Sequence, residues 1–111
     1  MLTLFQMQLS GNCFKVRLAA HQLDVPLSLV EIDILRGESR TEEFLVRNPN
    51  GRVPTLQLED GRTLAESNAI LLYLAEGTHL LPADRFQRAK VHEWLFFEQY
   101  RSPAIAAIIV Q

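Results

Sequence analysis

A single cysteine, Cys13, occurs among the 111 residues, and this scarcity excludes several kinds of protein. One cysteine can form neither an internal disulfide nor a zinc site with several cysteine ligands, so we expect a reducing compartment. The chain also lacks an excess of one charge, since 11 basic and 13 acidic residues give a net charge of −2. It therefore lacks the excess of positive charge that nucleic-acid-binding proteins use, and no nucleic-acid partner is predicted.

Long hydrophobic runs and metal-ligand clusters are absent from the sequence as well. The longest wholly apolar run, residues 104–110, is far shorter than the about 20 residues that a bilayer-spanning helix needs. The N-terminus lacks the basic and apolar regions of a signal peptide, so we expect a cytoplasmic protein with no membrane partner. The three histidines lack metal-ligand spacing, and Glu31 and Asp33 alternate on a predicted strand without indicating a paired-carboxylate site. No metal is expected.

The residues that are present describe an ordinary globular chain, 48% hydrophobic and 22% charged. Hydrophobic periodicity divides it into alternating strands and helices, because apolar residues recur at every second position in some segments and at three and four positions in others. Strands are predicted over residues 2–6, 27–33, 55–59 and 62–65, and helices over residues 13–23, 41–47 and from Ser67 to the stop at Gly77. Ser39 and Glu42 have the spacing of a capping box before the second helix.

The order of these elements predicts an α/β fold for residues 1–76. A strand–helix–strand unit requires a right-handed crossover between parallel strands, and Asp60-Gly61 is a strong hairpin signal between the last two strands. The expected sheet is therefore four-stranded and mixed, with helices on its faces.

The remainder of the chain predicts the start of a second, all-helical domain over residues 85–111, after a linker at residues 77–84. Asp84 can cap a long helix over residues 85–101; Pro103 would bend or end it, although the apolar run after Pro103 is compatible with a helix. Within this helix, Trp94-Leu95-Phe96-Phe97 is apolar nearly all round. We therefore expect the chain to hold only part of that domain, or to borrow a partner chain that covers the helix.

Three short segments contain residues that could carry chemistry. Ser10 and Cys13 flank the N-terminus of a helix, where free N–H groups stabilise an anion such as a thiolate. Ser10 or Asn12 could equally be an ordinary cap, with Cys13 packed as a small apolar residue. A cis bond before Pro54 would leave the backbone of Val53 available to an extended peptide, whereas a trans bond would make an ordinary turn.

The third segment is Glu66-Ser67, at the start of a predicted helix. Ser67 fits an ordinary N-cap, but its hydroxyl and backbone N–H could also bind a substrate carboxylate while Glu66 faces an ammonium group. Arg40 could bind a carboxylate, although a lone arginine in a polar loop is usually solvated.

In this order, the segments resemble the N-terminal domain of the glutathione S-transferase superfamily, of the serine- or cysteine-type bacterial class. The resemblance rests on residues 10–17 (Ser-Gly-Asn-Cys-Phe-Lys-Val-Arg), residues 43–45 and 48–56 around Pro54, residues 64–74 around Glu66-Ser67, and residues 94–100 (Trp-Leu-Phe-Phe-Glu-Gln-Tyr). It implies a thioredoxin-like domain over residues 1–76, followed by the first helix of an all-helical domain. No tyrosine lies in the first segment, which excludes the tyrosine-dependent classes.

The resemblance also implies a role for each candidate residue. Ser10 would donate a hydrogen bond to the glutathione sulfur with support from Asn12, and Cys13 lies near the cysteine of classes that form mixed disulfides. Val53, made available by Pro54, would pair with the cysteinyl backbone. Glu66 and Ser67 would hold the γ-glutamyl end, and Arg40 or Arg52 the glycyl end.

The function implied is a detoxifying transferase that adds the glutathione thiolate to a small electrophile and acts as a homodimer. Glutathione would be the co-substrate, with no metal. The resemblance also implies that, in family members of roughly twice this length, helices beyond the position of residue 111 build most of the pocket for the electrophile. Two alternatives stay open, a glutathione-dependent disulfide reductase or thiol transferase that uses Cys13, and a noncatalytic interaction module with this fold.

Overall fold

The computed structural model describes the backbone of residues 1–110 and the side chains of residues 1–100. The four strands are β1 (Leu2–Gln6), β2 (Leu27–Glu31), β3 (Thr55–Gln57) and β4 (Thr63–Ala65). The four α-helices are α1 (Gly11–Gln22), α2 (Glu42–Arg47), α3 (Ser67–Ala75) and α4 (Arg85–Val110), and two single 3-10 turns lie at Ile34–Arg36 and Glu38–Arg40. Gln111 lies outside the described residues.

The strands form one mixed sheet in the order β2-β1-β3-β4. β1 is parallel to β2, as the crossover through α1 requires, and antiparallel to β3, which is in turn antiparallel to β4. The predicted α/β fold with a four-stranded mixed sheet is confirmed.

One apolar cluster joins the sheet to α1 and α3. Leu4 and Leu56 lie opposite each other on β1 and β3, and both are fully buried. Helix residues at the expected spacing complete the cluster: Val16, Ala20, Ile70 and Leu74. The core therefore lies on one face of β1 and β3 and holds α1, which follows β1, and α3, which follows β4, against the sheet.

The predicted capping box before α2 is wrong. Thr41, not Ser39, is the N-cap, and its hydroxyl accepts a hydrogen bond from the N–H of Phe44 at 3.2 Å. Ser39 instead lies in the second 3-10 turn and is buried. The two 3-10 turns occupy the polar stretch before α2, and the helix begins directly after Thr41.

The last helix is longer than the predicted residues 85–101, because the backbone of α4 is helical from Arg85 to Val110; Pro103 does not end it, and the apolar run after it is helical. A proline lacks the N–H of one helical hydrogen bond, but its fixed φ is compatible with a helix. Asp84 begins α4 as predicted, since its carboxylate accepts a hydrogen bond from the N–H of Gln87 at 2.9 Å.

The chain divides into two compact units, residues 1–74 and 75–111. Within the second unit, Arg88 of α4 forms an ion pair with Glu76 and donates to the carbonyl of Pro82. Among the residues that the structure describes, no helix has both the length and the apolar character needed to cross a bilayer.

We expect Leu56→Ala to lower the free energy of unfolding by about 2–5 kcal/mol, because it removes a fully buried side chain between sheet and helices. Urea unfolding followed by circular dichroism measures the change. Val46→Ala is the matched control, since Val46 is 84% exposed on α2 and its truncation should change stability by less than about 0.5 kcal/mol. Equal effects of the two substitutions would contradict this assignment of the core.

Candidate functional site

Strand register brings the three chemistry-bearing segments to one edge of the sheet. Thr55, the first residue of β3, pairs with Phe5 near the end of β1 and with Ala65 at the end of β4. The segments that adjoin these three positions therefore meet at the same edge. They are the loop that leads to Ser10, the turn that contains Val53-Pro54, and the Glu66-Ser67 start of α3.

Ser10 is the N-cap of α1. Its hydroxyl accepts a hydrogen bond from the N–H of Cys13 at 3.3 Å, and its carbonyl accepts from the N–H of Phe14 at 2.9 Å. The side chain is half-buried. A hydroxyl in this position lies in the positive end of the helix dipole, where an anion is stabilised.

A groove of about 460 Å³ opens beside Ser10. Its lining comprises Ser10, Ile34, Leu35, Ser39, Arg40, Gly51, Arg52 and Val53. Four of the predicted site residues, Ser10, Arg40, Arg52 and Val53, thus share one cavity. The other five predicted residues are outside that lining: Asn12, Cys13, Pro54, Glu66 and Ser67.

The turn before β3 presents its backbone to the groove. The Val53–Pro54 peptide bond is cis. The buried amide of Asn48 donates to the carbonyl of Arg52 at 3.0 Å and to the Thr55 hydroxyl at 3.2 Å, so it holds the turn on both sides of this bond. Within the described part of the chain, the N–H and C=O of Val53 take part in no backbone hydrogen bond.

Gly51 allows the groove wall to close against Arg40. Its φ of +62° is a left-handed conformation that favours glycine. A Cβ at this position would lie 2.9 Å from the carbonyl oxygen of Ser39 and 3.1 Å from Nη1 of Arg40. Because Gly51 has no side chain, the exposed Arg40 guanidinium can lie directly against this turn.

Glu66 has a positive φ of 75°, which is rare for a residue with a side chain. The next residue, Ser67, is buried and begins α3, while the carbonyl of Glu66 accepts the first helical bond from Ile70 at 3.0 Å. Strained backbone of this kind is concentrated at binding sites. The sequence pattern indicated a helix start here but carried no sign of the strain.

Cys13 is fully buried beneath the loop that leads from β1 to Ser10. The N–H of Met7 lies 3.5 Å from its sulfur. Burial raises the pKa of the Cys13 thiol, and the Ser10 hydroxyl, the Met7 N–H and the nearby Arg17 only partly offset this effect. At neutral pH the group is therefore a thiol, which is a poor nucleophile.

Three further residues of the groove, Ile34, Leu35 and Ser39, belong to the two 3-10 turns and were not predicted from the sequence. One signal was available, since Leu35 is an apolar residue within a polar stretch and is 85% exposed in the structure. No metal-binding group of three His, Cys, Asp or Glu side chains occurs among the described residues.

We expect Cys13 of the native protein to react with a thiol reagent such as iodoacetamide more than about tenfold more slowly than free glutathione at pH 7. The physical reason is burial, which removes both access to the sulfur and its thiolate form. Mass spectrometry against time measures the rate. Unfolding in urea is the control and should restore the rate of a free thiol; fast alkylation of the native chain would contradict the burial of Cys13.

Comparison with known proteins places these features in a family. The sequence model for the N-terminal domain of glutathione S-transferases matches residues 9–76. A protein from Rhodopseudomonas palustris, solved as a possible glutathione S-transferase, is 56% identical with a TM-score of 0.92, over 96% of this chain and 52% of its own.

Two further relatives extend the comparison. A glutathione transferase homologue from Sulfitobacter, solved with bound glutathione, is 30% identical with a TM-score of 0.82 over 89% of this chain and 49% of its own. Protein URE2 of Meyerozyma guilliermondii is 35% identical over 105 residues, which are 86% of this chain and 35% of that protein.

The chain thus spans about half the length of these solved relatives and about a third of the curated relative. The predicted fold and its family resemblance agree with the domain that is matched. Because the family match covers well over half of the 111 residues, and the fold and motif order agree with it, this chain belongs to the glutathione S-transferase superfamily.

Proposed function

We propose that the chain binds glutathione at the sheet edge described above and that Ser10 activates its thiol for conjugation to a small electrophile. The observation that carries the proposal is the strand register, which brings the Ser10 loop, the Val53 backbone and Glu66-Ser67 together. A tripeptide with a charged group at each end needs such a set of dispersed contacts. The family match and the glutathione-bound relative support this choice of ligand.

Val53 would bind the middle of the tripeptide. Its N–H and C=O lack backbone partners in the described part of the chain, so they can pair with an extended peptide as in β-strand addition. Pro54 directly follows Val53, and the family resemblance assigns it to this part of the site. The backbone of Val53 thereby provides one hydrogen-bond donor and one acceptor to the tripeptide.

Charged and polar groups would bind the two ends. Arg40 and Arg52 line the groove with exposed guanidinium groups, which suit the glycyl carboxylate. Glu66 would face the amino group of the γ-glutamyl end, and Ser67 would bind its carboxylate at the N-terminus of α3. Asn12, in the first turn of α1, would support the Ser10 loop.

Ser10 would lower the pKa of the bound thiol. A hydroxyl that donates a hydrogen bond to sulfur stabilises the thiolate over the thiol, and the positive end of α1 acts in the same direction. The Ser10 side chain borders the groove, whereas the Cys13 sulfur is buried. This difference favours conjugation through Ser10 over disulfide exchange through Cys13.

The rest of the proposal concerns the whole protein. We infer a glutathione-binding domain over residues 1–76, a linker at residues 77–84 and the first helix of an all-helical domain over residues 85–111. Dimerisation, a cytoplasmic location and a role in detoxification follow the family resemblance. The electrophile is a small molecule whose identity depends on residues outside this domain.

The first test is calorimetric titration of the 111-residue chain with reduced glutathione. We expect saturable binding that Ser67→Ala weakens about tenfold, because the variant removes a hydrogen bond to a charged group. Ser28→Ala is the matched control, since Ser28 is an exposed residue on the edge strand β2 and its loss should leave affinity unchanged. Absence of binding by the folded chain would overturn the proposal in favour of the noncatalytic interaction module.

The role of Ser10 is tested by the pKa of bound glutathione, which is measured from the ultraviolet absorbance of its thiolate. We expect Ser10→Ala to raise that pKa by about one unit or more and to change affinity less than about threefold, because the ends of the tripeptide remain bound. Ser10→Asn is the control for lost capping, since asparagine caps a helix as well as serine. A normal thiolate fraction in both variants would exclude Ser10 as the activating group.

A further inference from the structure

The loop at residues 7–9, which leads from β1 to Ser10, is held by side chains from three different elements. Gln6 ends β1, Arg17 lies on α1 and Glu31 ends β2. We propose that these three are positioning residues that set where the Ser10 hydroxyl lies. The inference rests on the proposed role of Ser10 and adds residues that are expected to contact neither glutathione nor its electrophile.

Glu31 binds the loop from the β2 side. One carboxylate oxygen accepts a hydrogen bond from the N–H of Gln8 at 2.9 Å, and the other accepts from the side-chain amide of Gln6 at 2.9 Å. Gln6 and Glu31 are register partners in the parallel pair, so their side chains project from the same face of the sheet. The carboxylate therefore ties the loop to the end of the sheet.

Arg17 binds the loop from the helix side. Its guanidinium donates to the carbonyl of Gln8 at 3.3 Å and to the side-chain oxygen of Gln6. Gln8 thus has its N–H bound by an anionic group and its C=O by a cationic group. Both contacts are of the stronger, charge-assisted kind.

Gln6 joins the two charged groups. Its side chain is only 2% exposed, and its amide nitrogen and oxygen are engaged by Glu31 and Arg17 respectively. A buried amide with both ends bound favours one arrangement of its partners, since any other leaves a polar atom unsatisfied. The three side chains therefore act as one unit.

The loop transmits this restraint to Ser10 through short backbone contacts. The N–H of Ser10 bonds to the carbonyl of Met7 at 3.0 Å, and the N–H of Met7 meets the sulfur of Cys13 at 3.5 Å. Gln8 lies between these contacts and is exposed; Glu31 and Arg17 bind its backbone, and its side-chain oxygen accepts a longer hydrogen bond from the Gln6 amide at 3.4 Å. A displaced Gln8 would shift the hydroxyl on which thiol activation depends.

The test is Glu31→Gln, which keeps the size of the side chain and its acceptor toward Gln6 but places an NH₂ group opposite the N–H of Gln8. We expect the thiolate fraction of bound glutathione near pH 7 to fall about tenfold, with affinity for glutathione changed less than about threefold. Glu42→Gln, a like substitution at an exposed carboxylate on α2, is the control and should leave both unchanged.

The direction in which Glu31→Gln changes the pKa of the bound glutathione thiol distinguishes a positioning role of Glu31 from a direct effect of its charge. Removal of the negative charge of Glu31 would by itself stabilise a nearby thiolate and lower the pKa of the bound thiol. Loss of the hydrogen bond from the Ser10 hydroxyl to the sulfur would instead raise this pKa. A lowered or unchanged pKa in Glu31→Gln therefore overturns the proposal, as does a loss of affinity that only follows a loss of stability.

Amide hydrogen exchange at Gln8, measured by NMR without ligand, tests the network independently of glutathione. We expect exchange at least about tenfold faster in Glu31→Gln and unchanged in Glu42→Gln, because only the first loses the acceptor of this N–H. Unchanged exchange in Glu31→Gln overturns the network. A wild-type chain that binds no glutathione overturns the proposed function instead, and the exchange result still decides whether Glu31 holds the loop.

Discussion

The antiparallel pairing of β3 with both β1 and β4 is the constraint on which the site depends. Backbone hydrogen bonds place Thr55 opposite Phe5 on one side and Ala65 on the other. Because register in a sheet is specified by which face is buried, the burial of Leu4 against Leu56 fixes this alignment. The apolar core on one face of the sheet therefore determines which polar segments meet at its edge.

Ser10 and Cys13 show how closely spaced residues acquire opposite chemical properties. They are three positions apart at the start of α1, and the same N–H to hydroxyl contact links them. The hydroxyl borders a groove, whereas the thiol points into the protein, where burial raises its pKa. Ser10 is the N-cap, with extended backbone (φ −78°, ψ 126°), whereas Cys13 lies in the first turn of the helix and is fully buried, so their different backbone conformations accompany their different exposure.

Much of the fold followed from residue patterns, and the failures have identifiable causes. Alternating residues predicted β1 and β2, and Asp60-Gly61 predicted the hairpin of β3 and β4, because these signals are local. The capping box at Ser39 failed because tight 3-10 turns and the Thr41 cap satisfied the same backbone groups. The last helix extends beyond the predicted residues 85–101 because a proline weakens a helix without preventing it.

The sequence by itself determined the order of elements, the mixed sheet and the motifs that identify the family, since each depends on residues close together in the chain. Tertiary structure decided which of those residues share a groove, that Cys13 is buried, and that Gln6, Arg17 and Glu31 form one network. These properties depend on strand register and on contacts between residues far apart in the chain, such as Gln6 and Glu31, which are 25 positions apart. The local sequence pattern specifies which segments form strands and helices. The packing of distant segments determines which side chains are exposed, how their pKa values shift and which hydrogen-bond partners they have.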